Sequence, residues 1–180
     1  MNRHFFGYGS LVNRTTHDFP GAVPARLQGW RRVWVQTPAR DLAYLSVRPD
    51  PGTVIDGLVA EVPGGDWTAL DLREAAYQRN PVLTEPLRGA PLVAQVYAVP
   101  DPAAHGSAKA ILLSYLDTVV QGFLCEFGAE GAARFFATTD GWAAPVLNDR
   151  ADPRYPRVQP LSAVTRDCVD AALGRFGHRI

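Results

Sequence analysis

Strand-forming residues come in a block ahead of the main helices, and that order constrains the fold of this 180-residue chain more than any other property. Residues 4–8 read as one strand, 25–36 as one or two more, and 42–47 as another. A strand over 54–62 follows the Pro51-Gly52 turn signal, and Pro63-Gly64-Gly65 closes the segment. Asp66 then suits the N-cap of a helix over 67–78, which Asn80-Pro81 stops. Further strands are predicted at 82–83 and 92–99. Beyond the break at Pro100-Asp101-Pro102, Ser107 caps a helix in which Leu112, Tyr115, Leu116, Val119, Phe123 and Phe127 recur at helical spacing. A shorter helix at 129–136, a proline-rich loop at 140–160 and a last helix at 163–176 complete the pattern. Such an order predicts an α+β domain over residues 1–180, a mostly antiparallel sheet curled towards a barrel with helices packed around it.

Charge and cysteine usage narrow the class. A formal net charge of zero gives no pull towards nucleic acid or an anionic membrane. The greasiest stretch, 111–127, carries Asp117, Gln121 and Glu126 and reads as a core helix instead of a membrane span. Polar residues appear by position 2, so no signal peptide is expected. Cys125 and Cys168 form neither a metal-ligand pair nor a disulfide framework. Both fall at apolar positions of predicted helices, as buried free thiols do, which favours a reducing, cytoplasmic setting. No zinc spacing or phosphate loop is present, and no metal or cofactor is implied.

Two local features carry chemistry. The first is Phe5-Phe6-Gly7-Tyr8-Gly9-Ser10-Leu11, an aromatic strand running into two glycines and a serine. It reads either as a tight turn or as a segment that aims several backbone N–H groups at one spot, suiting a carboxylate or a developing oxyanion. The second is Glu74. At about 100° per residue, Trp67, Leu70, Glu74 and Tyr77 share one quadrant of the predicted helix, so Glu74 lies inside an apolar stripe. An unpaired carboxylate there is costly unless bonded, and burial raises its pKa towards the range of a general acid/base. A salt bridge from Glu74 to an arginine is the structural alternative. Arg73 falls off the stripe, towards solvent, and Asp71 at its edge reads as a helix charge. Arg31-Arg32 reads as the solvated edge of a strand. Ser10 lacks the Gly-x-Ser-x-Gly setting of a nucleophile, and His4, His17, His105 and His178 are scattered, so a Ser–His pair has no favoured base.

Taken together, Tyr8-Gly9-Ser10 and Leu70-Asp71-Leu72-Arg73-Glu74 resemble the γ-glutamylcyclotransferase-like family, whose strand ends in Tyr-Gly-Ser and whose later helix bears a catalytic glutamate. The Asp56-Gly57-Leu58-Val59-Ala60-Glu61-Val62 strand resembles the one that precedes that helix. The Tyr115…Gly122 pair matches a tyrosine seven residues before a glycine downstream. The resemblance implies a small mixed β-barrel surrounded by helices, and attack of a substrate's α-amine on its own γ-carbonyl to release 5-oxoproline. Glu74 would be the acid/base, Tyr8, Gly9, Ser10 and Leu11 would hold the γ-glutamyl unit, and Tyr115 would line the pocket. The partner implied is a small γ-glutamyl peptide or amine, with no metal or cofactor. A non-catalytic sensor using the same pocket is the alternative. The glutathione-degrading, ChaC-like branch follows its glutamate with glycines and then a tyrosine; this chain has Ala75-Ala76-Tyr77. The C-terminal third is expected either to close the pocket or to form a homodimer surface.

Overall fold

Alternation of side chains along the strands sets the architecture. In β1 (His4–Gly7), Phe5 and Phe6 point to opposite faces and enter two different apolar clusters. The computed structural model describes residues 3–36, 41–100 and 109–180. β1 joins β2 (Val23–Val35), β3 (Tyr44–Glu61), β4 (Gln78–Pro86) and β5 (Leu92–Ala98) in the order β3-β1-β5-β4-β2. β2 pairs back onto β3, so the five strands close into a barrel. Only β1 and β5 run parallel within it, which makes the barrel mixed. Closure leaves no long open edge among these strands.

The larger cluster fills the barrel with Phe6, Leu27, Ile55 and Leu58, and meets Leu116, Val119, Val120 and Phe123 from helix α2 (Leu113–Ala137). Each such fully buried side chain contributes about 1.5–3 kcal/mol. The smaller cluster, around Phe5, Leu11, Ala60, Val62, Leu70 and Tyr97, lies beneath the short helix α1 (Thr68–Arg73). Ahead of α2, β6 (Ile111–Leu112) pairs with β8 (Val146–Leu147), and after it β7 (Thr139–Asp140) extends the sheet beside β2. Helix α3 (Ala163–Arg175) packs on α2 and is capped by Ser162, whose hydroxyl accepts from the Thr165 amide. No described helix is long and apolar enough to cross a membrane.

The structure corrects several sequence expectations. Pro51-Gly52 does not separate two strands. Gln28 pairs with Val54 and Trp30 with Pro49, so Gly29 (φ +80°) alone faces residues 50–53 in a wide bulge within one long strand. The turn chemistry is genuine, with the Asp50 carboxylate accepting from the Thr53 hydroxyl at 2.8 Å, but it bends β3 without ending it. The helix predicted over 67–78 stops at Arg73, and β4 runs straight through Asn80-Pro81. Pairing of residues 78–84 with β5 outweighs the local helical spacing. Asp66 serves a turn at the helix entry, accepting from the Thr68 amide at 3.0 Å. Gly128, at φ +67°, divides the helical stretches on either side of it within α2. Cys125 is exposed and Cys168 half-buried, so the thiols are not core groups. Ser107, Asp101, Pro102 and His105 lie outside the described residues.

Candidate active site

The loop after β1 curls back because its glycines permit contacts that a side chain would block. A Cβ on Gly7 would lie 2.6 Å from the Leu11 Cβ, and one on Gly9 would lie 2.7 Å from the Tyr115 hydroxyl. The chain forms a 3-10 turn at Ser10–Val12, and Asn13 then pins it to α2, donating to the Thr118 carbonyl at 2.9 Å and to Gln121 at 2.8 Å. Tyr115 and Gly122 stand two helical turns apart on the face that receives this loop. Tyr115 meets Gly9, while a Cβ at Gly122 would lie 2.6 Å from the Asn13 amide nitrogen. That spacing therefore reflects one docking surface.

The sequence reading missed the group beneath the loop. Arg32 is not a solvated strand edge but a fully buried side chain. Its guanidinium donates to the Tyr8 carbonyl at 2.9 Å, to the Thr138 hydroxyl at 2.9 Å, and to the Asp56 carbonyl. It also sits over the Phe123 and Phe135 rings, 4.8 and 5.2 Å from their centroids. Burial pushes its pKa down to about 9, against the pull of Asp56, so it remains charged at neutral pH. A single arginine cannot be assigned to core or surface from strand alternation; Asp56, 24 positions nearer the C-terminus, was the available signal.

Glu74 caps the C-terminal end of α1, its amide donating to the Leu70 carbonyl at 2.9 Å. The expected inward direction holds although the helix is short. Its side chain is 17% exposed and lies 3.3 Å from the Arg73 Nε, so the salt-bridge alternative is also realised. Arg73 is itself only 9% exposed, contrary to its position off the apolar stripe. It reaches across to the loop and donates to the Ser10 hydroxyl at 3.2 Å and to the Thr16 carbonyl at 3.1 Å. Burial raises the Glu74 pKa, and the Arg73 and Arg157 guanidinium groups hold it back. Asp71 accepts from the Tyr97 hydroxyl at 2.5 Å and pairs with Arg79.

These elements enclose two adjoining spaces. An inner recess of about 340 Å³, its open mouth included, is lined by Phe6 through Leu11, Leu45, Glu74, Tyr77, Tyr97 and Tyr115. The outer chamber, about 980 Å³ by the same measure, shares Ser10, Leu45, Glu74, Tyr77 and Tyr115 with it. Glu74 thus stands at the boundary. All the expected site residues, Tyr8, Gly9, Ser10, Leu11, Glu74 and Tyr115, line the inner recess together. Tyr8 donates to the Tyr97 carbonyl at 2.7 Å and Tyr77 to the Leu45 carbonyl at 3.0 Å. Burial raises the pKa of Tyr8, Tyr77 and Tyr115, keeping all three hydroxyls protonated. Among the described residues no cluster of His, Cys, Asp or Glu could hold a metal ion.

A barrel of this topology, with a glycine loop facing a half-buried glutamate, defines a class, and the family comparison gives it a name. Residues 5–115 match the model of the gamma-glutamyl cyclotransferase, AIG2-like family, and the chain belongs to that family. A search of curated proteins finds no match. Among solved structures, an uncharacterized human protein, loc79017, superposes with a TM-score of 0.61 at 16% identity, covering 93% of this chain and 97% of its own. A structure described as a gamma-glutamyl cyclotransferase gives 0.60 at 16% identity, over 94% and 98%. The yeast cyclotransferase described as specific to glutathione gives 0.50 at 14%, over 99% and 100%. At these identities the likeness is one of fold.

Proposed function

We propose that the chain is a γ-glutamylcyclotransferase that releases 5-oxoproline from a γ-glutamyl peptide or amine. The observation that carries this reading is the position of Glu74, opposite the Tyr8–Leu11 loop and at the boundary between two spaces. The inner recess takes the γ-glutamyl unit, with the loop backbone donating to its oxygens. The outer chamber takes the group that leaves. Folding the γ-glutamyl chain in the recess brings the α-nitrogen to the γ-carbon, so the nucleophile comes with the substrate.

The bookkeeping of protons suits one carboxylate. The α-ammonium gives up two of its three protons as the new N–C bond forms, and the lactam nitrogen keeps the third. The old amide C–N bond breaks, and its nitrogen takes up two protons to leave as an ammonium. Glu74 accepts from the attacking nitrogen and delivers to the departing one. Such acid–base help is typically worth about 10²–10⁴-fold. Its raised pKa makes the carboxylate a stronger base than an exposed glutamate, and Arg73 opposes that rise by favouring the ionised form. Ser10 has no nucleophilic task; its hydroxyl accepts from Arg73.

The test is 5-oxoproline release from a panel of γ-glutamyl compounds that includes glutathione. Glu74→Gln is expected to lower turnover by about 10²–10⁴-fold while leaving the fold intact. Equal rates in the two proteins would remove Glu74 from the chemistry.

A further inference from the structure

The outer chamber has a strongly one-sided charge. Its ionisable lining comprises Arg73, Arg154 and Arg157, tyrosines, and one carboxylate, Glu74. Arg73 is committed to Glu74 and the Ser10 loop. Arg154 and Arg157 remain, exposed and facing the space next to the carboxylate. They lie beyond the residues matched by the family model, so the family assignment gives them no role.

The segment that bears them is fastened at several points. The buried Asp149 accepts from the Ser114 amide at 2.8 Å, from the Ser114 hydroxyl at 2.5 Å, and from the Arg154 amide at 2.9 Å. Arg150 makes a two-pronged pair with Asp117, both bonds at 2.8 Å, and reaches Asp170 at 2.7 Å. Tyr155 sets its ring edge-on to Tyr115, with centroids 5.1 Å apart, and Gln121 donates to the Pro160 carbonyl at 2.9 Å. The ion pairs that secure the segment therefore run through Arg150, which leaves the other two arginines to face the chamber. A planar guanidinium binds a carboxylate through two parallel N–H···O bonds.

We infer that Arg154 and Arg157 form a subsite for a carboxylate on the leaving group, so that the preferred substrates are γ-glutamyl amino acids or peptides with a free carboxylate near the scissile bond, over γ-glutamyl derivatives of neutral amines. This rests on the cyclotransferase reading for its substrate frame. Both arginines are solvent-exposed, so the discrimination is moderate, about three- to tenfold, and it falls as salt screens the charges.

The experiment compares γ-glutamyl-alanine with γ-glutamyl-alaninamide, which differ only in that carboxylate. In the Arg154→Gln/Arg157→Gln double variant, the acid-to-amide ratio of kcat/KM is expected to drop about three- to tenfold from its wild-type value. Taking the ratio cancels any general loss of folding and the intrinsic difference between the two leaving groups. A ratio unchanged by the double substitution, with both compounds turned over, overturns the subsite and leaves the cyclotransferase reading standing. If neither compound releases 5-oxoproline, calorimetric Kd values for the same pair decide the question. Tighter binding of the acid to wild type, lost in the double variant, supports the subsite while the catalytic reading falls. Absence of binding by either compound removes both.

Discussion

Replacing Arg32 by methionine tests the claim that a buried cation holds the Tyr8–Leu11 loop in place. Methionine keeps much of the length and apolar volume of arginine but removes its five donors. The Tyr8 and Asp56 carbonyls lose a charged partner inside the protein, at about 1–3 kcal/mol each. Loss of the contacts with Phe123 and Phe135, 4.8 and 5.2 Å away, adds about 0.5–2 kcal/mol. Against this, methionine avoids the desolvation of a guanidinium, which recovers several kcal/mol. Asp56 keeps Arg134 at 2.7 Å and Arg26 at 3.3 Å, so no lone buried carboxylate is created. The balance is a net destabilisation of about 1–3 kcal/mol. Urea unfolding measures it as a lower midpoint with an unchanged slope. Arg32→Lys should fall between the two proteins, because one ammonium cannot span three acceptors in a planar fork. A methionine variant as stable as wild type, or more so, would refute the reasoning by showing that desolvation outweighs the bonds.

Two other perturbations follow from the same geometry. In Gly57→Ala the new Cβ would lie 2.4 Å from the Gly7 carbonyl oxygen and 2.5 Å from the Phe6 ring. β1 must then shift away from β3, costing about 1–3 kcal/mol; an unchanged Tm would show that the strands have room. In Arg73→Gln a positive charge 3.3 Å from Glu74 is lost. A cation favours the ionised carboxylate, so its removal raises the Glu74 pKa further, and the acidic limb of kcat/KM moves to higher pH. A limb that stays in place, or moves to lower pH, would show that Arg73 does not act on the Glu74 charge.

The strand block announced the barrel because nearly every β-segment carried its own β-branched or aromatic residues and turn signals. Closure was another matter, since it needs β1 beside β5, Phe5 against Gln95, a long-range pairing that no local pattern encodes. Glu74 was legible from its companions: Trp67, Leu70 and Tyr77 do share the inward side, and this remained true when the helix proved shorter. Arg73 and Arg32 were misread for one reason. Their surroundings come from distant segments, the Ser10 and Thr16 loop for Arg73 and the Tyr8 and Asp56 carbonyls for Arg32, so neighbours in sequence say nothing about their burial. Arg154 and Arg157 sit in a proline-rich stretch whose path is set by Asp149 and Ser114, a pairing across 35 positions.

Every residue lining the inner recess falls within the stretch that also builds the barrel, residues 5–115, whereas residues 154–157 of the outer wall lie beyond it. A change in the inner lining therefore risks the fold as well as the chemistry. The outer wall hangs from α2 by Asp149 and Arg150, and its exposed side chains can be exchanged without disturbing a strand. Substitution bears differently on the two parts: a change in the recess strains the barrel, whereas the exposed arginines of the outer wall can be exchanged with the fold kept.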